Sequence, residues 1–417
     1  MEGFKAITNE IVRKYLVNVR QVVFEVTDKC NLNCMYCGQS DLYKMVDERK
    51  GKNLSFSNAK LLIDFLVDIW RNETFSYPLK SVVISFYGGE PLVNFELVKK
   101  IVDYVKTLSD TGRSFRFSMT TNALLLKEYM DFLSENRFSL LISIDGDREG
   151  HSYRMDRTGK NSFDKVFANI TLLASKYPVY FERSVGFNSV IHDRNSVERT
   201  YFFIKKTFGK TPMMTALKNY NIQSEKIDTF KSMYRNIFES IEKSEKFDIV
   251  TNEMFLKAPH AKRGFMFLRE YSGNFFDNYN DFLRDPKKHP IVPTGTCIPF
   301  SKKMLITVDG KILQCERINY SHSLGQIING VVKLDFSAIA EYYNKLIFKF
   351  IHYCSDCFLK SHCPVCVLQL DDLDNLQKCP RFLHNSKKNK YIDSNIIFFR
   401  NNPHMYERIL HEATIKL

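Results

Sequence analysis

The sequence has no long hydrophobic run and no apolar segment at its beginning. Its most apolar helix-like run, residues 61–70, is interrupted by Asp64 and Asp68, whereas a membrane-spanning helix needs about eighteen or more consecutive apolar residues. Residues 1–14 are charged and lack the apolar core of a secretion signal. These absences predict a cytoplasmic protein without a membrane partner. Disulfides are rare in that compartment, so grouped cysteines usually indicate metal or redox chemistry.

Concentrated positive charge is also missing, although the formal net charge is +13. Lysine and arginine are scattered along the chain, apart from short runs such as Lys387-Lys388. Nucleic-acid affinity depends on clustered positive side chains, so we expect no nucleic-acid partner and instead a solvated surface, with a cleft that attracts an acidic peptide. The hydrophobic content of 44% in 417 residues indicates a folded core and allows two domains.

Three of the ten cysteines stand together in the run Cys30-Asn-Leu-Asn-Cys34-Met-Tyr-Cys37. A [4Fe–4S] cluster normally takes four cysteine thiolates. Three thiolates on one short loop would therefore leave one iron for another ligand. On this run alone, buried structural thiols or a partial zinc site remain alternatives.

Short strand-like runs alternate with amphipathic helical stretches between about residues 20 and 245. The predicted strands are 22–26, 82–86, 115–119, 140–143, 180–187 and 213–217. The predicted helices are one capped by Ser57, then 95–108, 127–136, 163–176, 195–207 and 225–244. Six such units predict an α/β fold with a parallel sheet, either open or a partial barrel.

Small and polar residues follow the predicted strands. After the cysteine loop come Tyr87-Gly88-Gly89-Glu90-Pro91, Thr120-Thr121-Asn122, Ser143-Ile144-Asp145-Gly146 and Asn188-Ser189. Ligands of parallel α/β folds bind at the carboxyl ends of the strands. The sequence therefore predicts one shared site at that end of the sheet.

These motifs, in this order and followed by His151-x-x-Arg154, resemble the core of the radical S-adenosylmethionine (SAM) enzymes over residues 21–245. The resemblance implies a partial (β/α)6 TIM barrel. It also implies that the amino and carboxylate groups of SAM complete the cluster held by Cys30, Cys34 and Cys37. An electron from that cluster would cleave SAM to methionine and a 5′-deoxyadenosyl radical.

The resemblance further implies a set of SAM contacts. They are the backbone of Tyr36 at the adenine, Gly88 and Gly89 at the methionine part, Glu90 at the amino group, Ser143 and Asp145 at the ribose or methionyl part, Arg154 at the carboxylate, and Asn188 as an additional contact. Glycine lets a backbone approach a ligand closely. A planar guanidinium suits a carboxylate.

The other seven cysteines lie in the C-terminal third. Asp309-Gly310 predicts a hairpin turn between residues 304–308 and 311–314, which would bring Cys315 close to Cys297. The run Cys354-x2-Cys357-x5-Cys363-x2-Cys366 then places four thiols in thirteen residues, before Cys379. Its two CxxC pairs, taken alone, are also compatible with a zinc ribbon.

The order of these cysteines resembles the SPASM domain, a small cysteine-rich domain, here at residues 296–383. The resemblance implies two auxiliary [4Fe–4S] clusters and so three in all. The outer cluster would be bound by Cys354, Cys357, Cys363 and Cys379, and the inner one by Cys297, Cys315 and Cys366. Seven cysteines are one fewer than two fully ligated clusters require, so the inner cluster would have an open iron or a non-cysteine ligand. An N-terminal extension at 1–20, a bridge at 246–295 and a tail at 384–417 complete the predicted organisation.

The residues after Cys315 bear on the reaction. Sulfatase maturases have an aspartate base directly after this cysteine, whereas this chain has Glu316 and then Arg317. Glu316 is the candidate proton acceptor, with Arg317 and His322 as further candidates. The chain instead resembles peptide maturases paired with double-glycine-leader precursors, which implies a thioether or carbon–carbon crosslink in a ribosomal peptide and flavodoxin or ferredoxin as electron donor. The alternative is an anaerobic sulfatase-maturing enzyme.

Overall fold

A computed structural model gives the structure of most of the chain. It describes residues 6–44, 50–73, 81–109, 111–254, 264–265, 267–268, 294–360, 363, 365–370, 379 and 382–412. Most of the predicted bridge at 246–295 therefore lies outside the described residues. None of the helices within these ranges is long and apolar enough to span a membrane.

The strands are short and mostly buried. They are β1 (Gln21–Thr27), β2 (Leu32–Cys34), β3 (Ser81–Gly88), β4 (Ser114–Thr121), β5 (Ser139–Ser143), β6 (Arg154–Asp156), β7 (Val185–Ile191), β8 (Met213–Ala216), β9 (Met304–Ile306), β10 (Lys311–Leu313), β11 (Gly325–Ile328) and β12 (Val331–Leu334). Strand β1 is buried at every position after Gln21. Burial on both faces is typical of a parallel sheet covered by helices.

The helices follow the strands in the core and dominate the end of the chain. Numbered in order, the described α-helices are α1 (Asn9–Val17), α2 (Phe56–Asn72), α3 (Phe95–Lys106), α4 (Leu126–Glu135), α5 (Phe163–Lys176), α6 (Pro178–Ser184), α7 (Val197–Phe208), α8 (Ile227–Met233), α9 (Ile237–Glu242), α10 (Phe247–Glu253), α11 (Phe336–Phe348), α12 (Ile351–Ser355), α13 (Lys388–Asn401) and α14 (Pro403–Glu412). Helix α2 begins at a Ser55 cap that accepts a hydrogen bond from the Asn58 N–H, so the predicted Ser57 cap was wrong by two positions.

A ten-stranded sheet organises the fold, in the order β12-β11-β10-β9-β1-β3-β4-β5-β7-β8. The strands β1, β3, β4, β5, β7 and β8 are parallel neighbours. The predicted α/β fold with a parallel sheet is therefore confirmed. The carboxyl ends of these strands lie along one edge of the sheet, which is the edge at which the sequence predicts the shared site.

The C-terminal hairpin extends this sheet. Strand β9 pairs in parallel with β1, and β10 folds back on β9 in antiparallel pairing. Gly310 in the intervening turn has φ of +75°, a backbone conformation that favours glycine. On β1, the buried carboxylate of Glu25 accepts bonds from the Tyr320 hydroxyl at 2.7 Å and the Val308 N–H at 3.1 Å. The predicted hairpin is present, and it is joined to the core sheet.

Two predicted elements have different structures. The first part of the predicted strand 180–187 is helix α6, because Pro178 occupies its first turn and Phe181 is buried, and proline is favourable at that position. The predicted helix 225–244 is divided into α8 and α9. Tyr234 bridges to His192 between them, and Asn236 caps the second helix.

Candidate functional site

The first cysteine loop is built on a small two-stranded ladder. Strand β2 pairs antiparallel with β6, so that Cys34 lies opposite Arg154. Cys37 continues from this strand in a turn, with its N–H donating to the Cys34 carbonyl at 3.1 Å. The Arg157 guanidinium donates two hydrogen bonds, at 2.8 and 2.6 Å, to the Cys30 carbonyl. Strand pairing and hydrogen bonds within the chain therefore fix the backbone conformation of the cysteine loop.

Gly88 and Gly89 lie against the segment that leads into this loop. A Cβ atom at Gly88 would be 2.1 Å from the Thr27 carbonyl oxygen, and one at Gly89 would be 2.0 Å from the Lys29 carbonyl oxygen. Gly88 also has φ of +139°. The close approach that these glycines permit is thus to the chain's own backbone, and their predicted contact with SAM stays a prediction.

Glu90 is a buried carboxylate that links its own turn to the end of β4. Its oxygens accept hydrogen bonds from the Thr121 hydroxyl at 2.7 Å, the Asn122 N–H at 2.7 Å and the Leu92 N–H at 3.2 Å. Burial raises the pKa of Glu90 to about 7, although these donors oppose the rise. The Asn122 amide also donates to Asn31 at 2.7 Å. Glu90 is therefore positioned beside the cysteine loop through Asn122.

Asp145 and Arg154 form a buried ion pair. The guanidinium donates to the two carboxylate oxygens at 2.8 and 3.1 Å, and the Asp145 side chain is fully buried. Burial opposes ionisation of Asp145, but the Arg154 charge and its hydrogen bonds outweigh it and hold the Asp145 pKa below its usual value. The carboxylate also accepts bonds from the Tyr36 hydroxyl and the Val190 N–H. In this structure both side chains are engaged by each other, and their roles toward SAM stay predictions.

Ser143 and Asn188 are neighbours across two strands. They are register partners at the end of β5 and within β7, and the Asn188 carbonyl accepts a hydrogen bond from the Ile144 N–H at 3.0 Å. The predicted site residues from the cysteine loop, β3, β5 and β7 therefore lie along the same edge of the sheet.

The ten cysteines are all free thiols, and their electrostatic neighbours divide them into three sets. Cys34 interacts with Cys30 and Cys37, which form the first thiol set. Cys366 interacts with Cys315 and Cys297, the second thiol set. The third thiol set consists of Cys354, Cys357, Cys363 and Cys379. Burial, followed by these neighbouring thiols, raises the pKa of Cys354 to about 11.

The second thiol set is attached to the sheet through Gln314. This buried side chain donates from its amide nitrogen to the Cys297 carbonyl at 2.9 Å and accepts a bond from the Tyr343 hydroxyl. Thr296 accepts a bond at 3.0 Å from the N–H of Val367, the residue after Cys366. These bonds connect the segments that carry Cys297, Cys315 and Cys366.

The thiol sets bear on the choice between zinc and iron–sulfur chemistry. A zinc ribbon would require the two CxxC pairs to surround one ion, whereas Cys366 has Cys315 and Cys297 as its neighbouring thiols. A [4Fe–4S] cluster normally takes four cysteine thiolates, and sets of three or four thiols are compatible with that number.

Glu316 lies in an ion pair beside the second thiol set. Its two carboxylate oxygens are 3.0 and 3.1 Å from the Lys303 ammonium nitrogen. The Arg317 carbonyl accepts a bond from the Tyr220 hydroxyl at 3.2 Å. His322 contacts the Tyr342 hydroxyl, and burial lowers the His322 pKa. The role of Glu316 as a proton acceptor stays a prediction.

Two residues beside the first thiol set were missing from the predicted site residues. Asn122 ends the motif Thr120-Thr121-Asn122, and its position after a strand is the signal that indicates it. Arg157 reaches Cys30 across 127 residues of sequence. No local pattern around Arg157 indicates this contact.

Comparison with known proteins identifies the core. Residues 24–199 match the model of the Radical SAM superfamily. A cysteine-type anaerobic sulfatase-maturating enzyme of Clostridium novyi is 29% identical over 193 residues, covering 45% of this chain and 48% of that protein. The radical SAM cyclopropyl synthase TigE of Paramaledivibacter caminithermalis is 24% identical over 180 residues, covering 42% and 35% respectively. The chain thus spans about half or less of the length of these relatives.

The likeness in fold extends further. The solved structure of native anSMEcpe with bound AdoMet and Kp18Cys peptide superimposes with a TM-score of 0.59 at 18% identity. The superposition covers 94% of this chain and 99% of that one, so the shared fold includes both the core and the C-terminal region. Residues 24–199 therefore match a radical SAM domain, and the chain is similar in sequence to the anaerobic sulfatase-maturating enzymes.

Proposed function

We propose that the chain is a radical SAM enzyme that reductively cleaves SAM and modifies a ribosomally synthesised precursor peptide, forming a thioether or carbon–carbon crosslink. The observation that carries this proposal is the division of the thiols into three sets, one at the carboxyl edge of the parallel sheet and two in the C-terminal region. The same division supports a cysteine-rich SPASM domain at residues 296–383 with two auxiliary clusters, as the order of the cysteines predicts.

The residues present fit these groups. Three thiols in the first set leave one iron of a [4Fe–4S] cluster for SAM, and four in the third set match a fully ligated cluster. When bound, the first cluster supplies the electron that cleaves SAM to methionine and a 5′-deoxyadenosyl radical. The protein's part is to position the reactants and exclude water. The ladder between β2 and β6 and the buried Arg154–Asp145 pair orient the loop for that purpose.

A peptide substrate is supported by the chemistry beside the second thiol set. This set has three cysteines, so its cluster would retain an open iron or a non-cysteine ligand close to Glu316 and Lys303. The half-buried Glu316 carboxylate, which is paired with the Lys303 ammonium, is the proposed proton acceptor. The structural neighbour anSMEcpe was solved with a bound peptide. A flavodoxin or ferredoxin is the proposed electron donor.

Sulfatase maturation is a second candidate function. It is favoured by the sequence similarity to cysteine-type and serine-type anaerobic sulfatase-maturating enzymes. Under this alternative, the substrate would be a Cys or Ser in a sulfatase-type motif. The occurrence of Glu316 after Cys315, where the sulfatase maturases have aspartate, supports the peptide-crosslinking proposal.

The test is the intact mass of a short peptide encoded beside this gene, co-expressed with the enzyme in anaerobic cells. A crosslinking maturase removes two hydrogens from the peptide, and the Cys30→Ala variant should leave the mass unchanged. A sulfatase-motif peptide carrying Cys or Ser is expressed in parallel. Modification of that peptide alone would establish the alternative.

A further inference from the structure

Tyr43 carries a buried hydroxyl group that packing does not explain. The side chain has no exposed surface, and its hydroxyl oxygen has no hydrogen-bond partner among the residues that the structure describes. A buried hydroxyl without a partner lowers stability, whereas phenylalanine would fill nearly the same volume without this cost. Such a group indicates a partner other than the described side chains and backbone.

The backbone holds Tyr43 close to the first thiol set. The Ser40 N–H donates to the Cys37 carbonyl at 2.8 Å, and the Tyr43 N–H donates to the Ser40 carbonyl at 3.2 Å. On the other side, Tyr43 forms an antiparallel bridge with Ile222. Two successive turns and this bridge fix the position of Tyr43 relative to Cys37.

The side chains around the Tyr43 ring indicate which group is the hydrogen-bond partner of its hydroxyl. The Lys218 ammonium lies over the Tyr43 ring, 5.1 Å from its centroid. Burial raises the pKa of Tyr43, and the next largest causes are the Cys37 thiol and then Tyr220. The Tyr220 hydroxyl already donates to the Arg317 carbonyl. Among these neighbours Cys37 is the one that belongs to a thiol set, and the two backbone turns hold it close to Tyr43.

We propose that the Tyr43 hydroxyl would donate a hydrogen bond to the Cys37 sulfur when the first thiol set holds its cluster, and would thereby raise the reduction potential of that cluster. The inference rests on the proposed function, because it requires that cluster. Hydrogen bonds to sulfur are among the factors that set iron–sulfur potentials. A donor stabilises the more negative reduced state more than the oxidised state. Tyr43 is then a positioning and tuning residue that facilitates one-electron reduction by the donor protein.

The experiment is a redox titration of the full-length, cluster-loaded protein with SAM present, followed by electron paramagnetic resonance. The relevant signal is the one that SAM perturbs and that the Cys37→Ala variant lacks. Tyr43→Phe should shift the midpoint of this signal to a more negative potential. The matched control is Tyr129→Phe on α4, whose ring stacks on Phe95 with a centroid distance of 3.9 Å, and it should leave the midpoint unchanged.

Thermal unfolding of the cluster-free proteins gives a second measurement. Because the Tyr43 hydroxyl has no described partner, Tyr43→Phe should not lower the cluster-free melting temperature. An unchanged midpoint potential in Tyr43→Phe, or a clear loss of cluster-free stability, would overturn the inference and leave the proposed function standing. Absence of any SAM-perturbed signal in the unmodified protein would overturn the proposed function itself.

Discussion

The first and third thiol sets are held in different ways. In the first set, Cys34 lies on a strand that pairs with β6, and a buried ion pair, two close-packed glycines and the Glu90 carboxylate lie beside this segment. The third set is carried by α12 and by turns, with Cys357 bridging to His384. The frame of the first set therefore depends on the core of the domain. The third set has no equivalent ladder in the described part of the chain, and we expect its order to depend more on its own metal.

The largest effect is expected from a substitution in the ion pair beside the first thiol set. Arg154→Ala should lower the free energy of unfolding by about 3–5 kcal/mol, because it leaves the Asp145 charge buried without its partner. Chemical denaturation of the cluster-free protein measures the effect. Arg157→Ala is the matched control, since Arg157 is exposed and its guanidinium donates to the Cys30 carbonyl. Equal losses from the two variants would contradict the assigned role of the pair.

The pH dependence of stability should report Glu90. Its folded pKa is about 7, above the ordinary value of 4.5, because the carboxyl is buried. A raised carboxyl pKa favours folding at low pH, and that contribution is lost as pH rises from the unfolded to the folded pKa. Between about pH 4.5 and 7 the loss is at most about 3 kcal/mol. Glu90→Gln should remove this part of the pH dependence in denaturation curves, and an identical pH profile would contradict the burial argument.

A methyl group at Gly89 should disturb the frame of the first set. Gly89→Ala places a Cβ 2.0 Å from the Lys29 carbonyl oxygen, and we expect a loss of about 1–3 kcal/mol from overpacking with reduced iron content after reconstitution. Gly38→Ala is the control, because a Cβ there meets nothing within 4 Å although Gly38 follows Cys37. Equal iron content in the two variants would show that the glycine contact is not needed.

The smallest effect is expected where the core sheet joins the C-terminal hairpin. Tyr320→Phe removes one hydrogen bond to the buried Glu25 carboxylate, which keeps its bond from the Val308 N–H. The expected loss of unfolding free energy is about 1 kcal/mol, measured by denaturation. A loss as large as that of Arg154→Ala would contradict this order. It would show that the hairpin junction contributes as much to the free energy of unfolding as the ion pair.

The sequence was sufficient for those features that depend on local patterns. Strands such as β3 and β4 were predicted from short apolar runs, and the motifs that follow them predicted the edge that carries the site. The partner of Gly89 was not predictable, because the close approach joins segments sixty residues apart. The Arg154–Asp145 bond was not predicted either, since the resemblance assigned both side chains to SAM. Glu25 appears in its strand as an isolated charge, and only the three-dimensional pairing of β1 with β9 reveals its partners.

The most direct test of the three-set account is SAM cleavage by anaerobically reconstituted protein, measured as 5′-deoxyadenosine together with peptide product. We predict that Cys30→Ala abolishes 5′-deoxyadenosine formation. Cys357→Ala, which changes the third set, should retain some SAM cleavage without modifying the peptide. Unchanged 5′-deoxyadenosine from Cys30→Ala, or full product from Cys357→Ala, would contradict the account.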